Sequence, residues 1–197
     1  MRRMLVTVVA AGVVTALVAV GTAGCGGEQA AGGTPAGHAP AGHASAGVMQ
    51  AEVYIQVLRR YLSTPAENSF PGRAFKTVYV LDRAYRDAAV PAGKHDRGTP
   101  ITAQTRRQVT AALAGMAHVV FITSQDSVIE TRDGCGQVKN GGIVITLGPP
   151  EGDGHRVQVA VNGFVACLGA TWLTYVLQNQ PGSGWRVTGT TGSMAIS

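Results

Sequence analysis

The chain has 197 residues, of which 45% are hydrophobic and only 14% are charged, and its formal net charge is +5. This length allows one globular domain and leaves room for a segment outside it. The modest positive charge does not combine with clustered basic and aromatic residues, so we expect no nucleic-acid partner.

The amino-terminal segment has the pattern of an export signal. Arginines at positions 2 and 3 precede an uncharged run, Met4–Val20, and small residues then lead to Cys25. A positive start, an apolar stretch and a small-residue cleavage site are typical of a signal peptide, which does not belong to the fold. Removing residues 1–24 takes away two arginines and lowers the formal charge from +5 to +3.

Thr22-Ala23-Gly24-Cys25 resembles the lipobox of bacterial lipoproteins, although the family usually has an aliphatic residue where Thr22 stands. The resemblance implies that the Cys25 sulfur receives a diacylglyceryl group, with fatty acids such as palmitate, and that cleavage follows Gly24. Two or more acyl chains anchor a protein durably, so we expect an exported protein tethered to the outer face of the cell membrane.

Other interpretations of this segment stay open. Residues 4–24 are just long enough to remain as an uncleaved signal anchor, although their glycines and threonines make a poor membrane span. Ordinary secretion with cleavage near Ala23 is a second alternative. The arginine pair at positions 2 and 3 also fits a twin-arginine signal, so the general secretory and twin-arginine routes are not distinguished.

The next segment predicts a linker. Residues 26–47 are almost entirely Gly, Ala, Pro, Ser, Thr and His, and such a composition buries too little apolar surface to fold. We therefore predict a lipidated cysteine and flexible tether over residues 25–48 and one domain over residues 49–197. His38 and His43 lie in a short tandem repeat without further ligands, so we predict no metal site there.

The first half of the domain contains helical patterns. Apolar side chains recur at helical spacing from Val53 to Leu62, and Pro65 predicts the end of this helix. Thr77–Leu81 is rich in β-branched residues and predicts a strand. A second helix is predicted to begin at Thr99-Pro100, a cap followed by proline, and to end near Gly115.

The second half alternates with a period of two. Strands are predicted around Val119–Ile122, Ile143–Leu147, Val157–Val161, Trp172–Leu177 and Trp185–Thr188. Short turns rich in glycine and proline between them indicate an antiparallel meander. We therefore predict an α+β fold, with two helices from the amino-terminal half packed on a curved, mainly antiparallel sheet of about five to six strands.

The last two predicted strands, with their Trp172 and Trp185, resemble the final hairpin of NTF2-like or cystatin-like domains. The resemblance implies a curved sheet that wraps around helices and often leaves a cone-shaped cavity. The domain as a whole also resembles uncharacterised lipoproteins of actinobacteria, which implies no activity.

Cys135 and Cys167 remain once Cys25 carries lipid. An even number of cysteines in an exported domain predicts a disulfide, here closing a loop of about 32 residues and adding about 3 to 4 kcal/mol of stability. Two alternatives stay open: both cysteines are buried free thiols, or one is a nucleophile with a base nearby.

No recognised catalytic or nucleotide-binding motif is present in the sequence, and we predict no cofactor. The candidates for acid–base chemistry are three histidines and three acids near strand ends: His95, His118, His155, Asp82, Asp126 and Glu130. Each is more typical of a surface turn or ion pair. The catalytic residues, if any exist, are unknown from sequence.

Three functions are therefore open. The first is a non-catalytic domain, tethered by lipid, that binds a small ligand or a partner protein. The second is an envelope assembly component with an apolar patch or an open strand edge. The third is an NTF2-like enzyme with an acid or histidine in its cavity.

Overall fold

The computed structural model describes residues 41–68, 70, 72, 74–91, 93 and 97–197, with side chains from residue 47 onward. These residues form an α+β fold in which a few helices accompany a strongly curled, mostly antiparallel sheet. The predicted signal peptide, Cys25, His38, His95 and most of the predicted tether lie outside the described residues.

The elements of the described part follow one another in chain order as α1 (Ala41–Ser63), α2 (Pro65–Asn68), β1 (Thr77–Leu81), β2 (Arg83–Ala84), β3 (Thr99–Pro100), α3 (Ala103–Leu113), β4 (His118–Ile122), β5 (Ile129–Arg132), β6 (Cys135–Val138), β7 (Ile143–Leu147), β8 (Glu151–Gly152), β9 (Arg156–Ala166), β10 (Gly169–Gln180) and β11 (Gly184–Ile196). Two short 3₁₀ turns occupy Gln125–Ser127 and Lys139–Gly141. The short helix α2 and several short strands were not predicted.

Helix α1 ends where the sequence predicted and begins earlier. It stops at Ser63 because Pro65 disfavours helical backbone in the residue before it. Its start at Ala41 falls inside residues 25–48, which composition assigned to the tether. Residues 41–47 contain three alanines, which favour a helix, and two glycines, which disfavour it, so this extension depends on the helix that buried residues hold from Ala51 onward.

Helix α3 begins three residues after the predicted cap. Thr99-Pro100 forms β3, which pairs with β2, so its backbone is extended rather than helical. The N-cap is Thr102, whose Oγ1 accepts a hydrogen bond from the N–H of Thr105 at 3.1 Å. The threonine and proline signature marked the right region, but pairing with β2 moved the start of the helix.

The main sheet has the strand order β11-β10-β9-β7-β1-β4. Strands β7, β9, β10 and β11 are antiparallel neighbours, as predicted, but β4, which the prediction included in the same meander, is not antiparallel to any of them. Strand β1 instead runs parallel to both β4 and β7, which the prediction did not include. Helix α3 supplies the crossover that a parallel β1–β4 pair requires. Register shifts along β10 mark bulges, which bend and twist the sheet.

Both faces of the central strands are buried. On one face α1 and α3 cover a large core that includes Val80, Ile145 and Leu173. On the other face a smaller cluster around Tyr79 and Val144 lies under the β5–β6 hairpin. Strand β7 is buried at every position for this reason, as parallel strands covered on two faces usually are.

The β5–β6 hairpin was not predicted from the sequence. Its turn is Asp133-Gly134, both with positive φ (53° and 76°), as a tight two-residue hairpin requires. Besides its side-chain packing on the smaller cluster, the hairpin pairs its backbone with the main sheet at one residue pair, Gln137 and Ala166. Beside that pair, Cys135 and Cys167 lie at disulfide distance, with Cα atoms 5.7 Å apart. The cysteines thus join the hairpin to the turn between β9 and β10.

The distance between α1 and the sheet depends on Gly163 in β9. A β-carbon at this position would overlap the phenol ring and hydroxyl of Tyr61 in α1. Both Gly163 and Tyr61 are buried, so neither the helix nor the strand has room to move aside.

We predict that Gly163→Ala destabilises the domain by about 1 to 3 kcal/mol, because it overpacks this contact. Urea unfolding would measure the loss. The cost should be smaller in a Tyr61→Phe background, where the hydroxyl is gone. Gly189→Ala is the matched control, since a β-carbon at that strand position meets nothing within 4 Å. Equal costs for the Gly163 and Gly189 variants would contradict the proposed role of the contact.

Candidate functional site

The histidines predicted as acid–base candidates do not converge. His118 is exposed at the start of β4. His155 is exposed in a turn, where its backbone N–H donates to Asp153 Oδ1 at 2.7 Å. His95 lies outside the described residues. The described histidines therefore occupy surface positions on separate elements.

The predicted acids have ordinary surface partners. Asp82 lies 3.8 Å from Arg106, and Glu130 accepts a hydrogen bond from Arg132 at 3.1 Å. Asp126 is exposed in the first 3₁₀ turn. None of these carboxylates approaches a described histidine closely enough to form an ion pair. The sequence-based candidates thus form no catalytic arrangement among the described residues.

A partly buried polar cluster that the sequence did not indicate lies between α1, α2 and β10. The hydroxyls of Tyr61 and Thr171 share a hydrogen bond, and Tyr175 donates to Glu67 Oε2 at 2.8 Å. Arg60 Nε donates to both oxygens of the same carboxylate, at 2.9 and 3.0 Å. The Tyr61–Thr171 and Tyr175–Glu67 contacts join residues more than 100 positions apart in the chain, so periodicity along the sequence could not reveal them.

The environment of the cluster changes the proton affinity of its members. Burial alone would raise the pKa of Glu67, but the hydrogen bonds from Arg60 and Tyr175 outweigh it, and the pKa lies below its ordinary value. Burial raises the pKa of Tyr61 to about 12 and, together with the nearby Glu67 carboxylate, raises that of Tyr175. Glu67 therefore stays charged and its neighbours stay protonated at neutral pH. This suits a structural role better than proton transfer.

We predict that Glu67→Gln reduces the stability of the domain at neutral pH by about 1 kcal/mol, since one partner of a buried hydrogen bond is weakened. A carboxyl with a lowered pKa in the folded state stabilises above its unfolded pKa, and this contribution disappears as the pH falls through the folded pKa. The difference in the free energy of unfolding between wild type and variant should therefore decrease as the pH is lowered.

Urea unfolding at about pH 7 and about pH 3 would measure this closure. Glu151→Gln is the matched control, because Glu151 pairs with Arg86 on the surface, where the two side chains are 51% and 81% exposed. A Glu67→Gln variant whose deficit stays constant between the two pH values would argue against a charged Glu67 in the fold.

A polar pocket of about 600 Å³ lies between the β5–β6 hairpin and the end of β9. Its walls carry charges of both signs, from Glu130, Arg132 and Lys139, and the amide of Gln137. Glu130 and Arg132 bond to each other, and Lys139 Nζ donates to the Ser127 carbonyl at 2.9 Å. The charged groups of this pocket thus already have partners within the protein.

An apolar groove of about 430 Å³ lies between α3 and β4. The helix contributes one stripe of exposed or half-buried residues with a spacing of three and four: Ala103, Arg106, Arg107, Thr110 and Ala111. Phe121 of β4 forms the opposite wall. The arginine pair by itself suggests only a solvated helix face; the signal for a groove is the small residues that recur beside the pair on that face.

The groove borders an open strand edge. Strand β4 is the last strand of the main sheet, and among the described residues it pairs only with β1. Its sequence, His-Val-Val-Phe-Ile, has no lysine, proline or bulge of the kind that usually protects an edge. The opposite edge, β11, differs, since it has register shifts and exposed threonines. The free edge of β4 and the apolar groove thus adjoin each other.

Comparison with protein-family models, with curated proteins and with solved structures finds no match to this chain. Within the described residues there is no group of three or more histidines, cysteines, aspartates or glutamates placed to hold a metal ion. Nor does that part of the chain contain a helix with the length and apolar character needed to cross a lipid bilayer.

Proposed function

We propose that the protein is an exported lipoprotein, held on the outer face of the cell membrane by acyl chains on Cys25, whose domain binds a partner protein there. The lipobox-like residues Thr22–Cys25, after an uncharged apolar run, support the anchor. The Cys135–Cys167 pair supports export independently, because disulfides persist mainly in oxidising compartments.

The partner-binding role rests on the groove between α3 and β4. A strand edge without a partner, formed by four apolar residues after His118 and lying beside an apolar groove, is typical of a surface that another chain covers. A structural or assembly role in the envelope would use the same surface and would differ only in how long the partner stays. The groove therefore supports both versions of the proposal.

The NTF2-like or cystatin-like arrangement remains part of the proposal. A long helix lies against a curled sheet, as that arrangement requires. The side chains of Tyr54, Tyr61 and Tyr175 between them are fully buried, in the region where such domains often have a cavity. A non-catalytic role fits this filled interior better than an enzyme with a cavity acid or histidine.

Binding of a small polar ligand is the second candidate function. The polar pocket of about 600 Å³ between the β5–β6 hairpin and β9 favours it, since its size matches that of ordinary ligand sites. The pairing of its charged groups with one another makes it the weaker candidate.

We predict that Cys25→Ser abolishes both lipid modification and membrane retention, because no thiol remains to carry the acyl chains. Fractionation of cells expressing either form, together with intact-mass analysis, would test this. Cys135→Ser is the control, since it keeps the amino-terminal cysteine and should stay in the membrane fraction. A processed Cys25→Ser protein that still sediments with membranes would disprove the anchor.

We predict that a partner can be trapped by site-specific photo-cross-linking in intact cells. A photoreactive residue at Thr110, in the groove, should yield one discrete adduct of the full chain with another protein, whereas the exposed Thr190 on β11 should yield none. Asn140, in the polar pocket, is the third position. If none of the three positions forms an adduct, the partner-binding function is rejected.

A further inference from the structure

Every second residue of β4 directs its backbone N–H and C=O groups towards solvent. The His118 N–H donates to the Lys76 carbonyl, and the Ile122 carbonyl accepts from the Asp82 N–H, both at 2.8 Å, so these residues face β1. In a parallel pair the residues between point their N–H and C=O groups the other way. Val119 and Phe121 therefore present their backbone groups at the free edge.

The same two residues direct their side chains towards α3. Val119 is buried in the core that α3 covers, and Phe121 packs against that core and lines the groove. A strand added beside β4 would place the residue opposite Phe121 on the same face of the sheet. Its side chain would therefore enter the groove, where the small residues Ala103 and Ala111 leave space.

The rim of the groove is cationic. Arg106 lies 3.8 Å from Asp82, so part of its charge is already compensated. Arg107 is exposed and has no ion pair or hydrogen bond within the part of the chain that the structure describes. A carboxylate on the incoming chain would find its complement at Arg107.

We propose that the β4 edge binds an extended segment of a partner protein as an additional strand, with an apolar side chain in the groove and an acidic side chain beside Arg107. Main-chain hydrogen bonds to Val119 and Phe121 would supply affinity, and the groove and the arginine would supply selectivity. This inference rests on the proposed partner-binding function and specifies the chemistry of the partner.

Charge makes a second copy of this chain a poorer occupant. Pairing β4 with β4 of another copy about a two-fold axis brings both α3 helices to the same face of the joined sheet. Each helix carries Arg106 and Arg107 on the side that faces the junction. Like charges facing each other across such a pair oppose association, whereas an acidic peptide is attracted.

Peptide binding to the full chain, purified in detergent, tests the inference. The probes are two fluorescent octapeptide pools with alternating apolar residues and threonine, identical except for one central position that is glutamate in one pool and glutamine in the other. We expect saturable binding, with the glutamate pool at least about tenfold tighter. Every second backbone N–H of a bound peptide strand donates to β4, and the others face away from it. Methylation of every second backbone nitrogen should therefore abolish binding when it removes the donors to β4 and should not when it removes the others.

Two variants and two controls assign the binding to this surface. Arg107→Glu should remove the preference for glutamate, and Ala111→Trp should fill the groove and weaken both pools by at least about tenfold. Arg186→Glu and Thr190→Trp, at exposed positions on β11 outside the groove, should leave binding unchanged. Thermal unfolding of every variant establishes that it is folded.

Several results would overturn the inference: no binding of either pool, equal binding of both pools, or an unchanged preference in folded Arg107→Glu protein. Dimerisation of the wild type that Ala111→Trp abolishes would assign the edge to a second copy instead. The proposed function is tested separately, by the cross-linking experiment. A cross-linked partner at Asn140 but not at Thr110 would retain partner binding and reject the β4 edge, whereas the absence of any adduct would reject partner binding itself.

Discussion

The contact of Tyr61 with the backbone of β9 at Gly163 is the constraint on which the rest of this fold depends. The absence of a side chain at Gly163 lets α1 approach the sheet closely enough for the Tyr61 hydroxyl to reach Thr171 on the next strand. The hydrogen bond from Tyr175 to Glu67 then connects α2 to β10, the strand that also carries Thr171. Close approach fills the space between helix and sheet with side chains and favours a packed interior.

A packed interior limits where the molecule can meet other molecules. The helices cover one face of the central strands and the β5–β6 hairpin covers the other. Binding surfaces must then lie at sheet edges or in outer grooves, and the edge at β4 is apolar from Val119 to Ile122. The β11 edge carries exposed threonines and bulges, which discourage pairing with another chain. The two edges of one sheet thus have different chemistry.

The cysteines link the proposed location to the stability of the domain. Cys25 is the proposed lipid site, while Cys135 and Cys167 join the hairpin to the turn after β9 at a point where only one residue pair connects the two. Closing a loop of this size stabilises the folded state by about 3 to 4 kcal/mol in an oxidising compartment. The integrity of the hairpin is therefore expected to depend on export.

The sequence by itself determined the elements whose signals are local. The apolar spacing of α1, its stop before Pro65 and the alternation in β9 depend on neighbours a few residues away, and the cysteine count predicted the close pair. Only the tertiary structure decided the parallel pairing of β1 with β4, the N-cap of α3 at Thr102 and the Tyr175–Glu67 contact. These depend on residues distant in the chain, whose approach is set by packing of the whole core and leaves no period in the sequence. The groove beside β4 belongs to the second group, because its walls come from two elements whose facing sides are fixed by that packing.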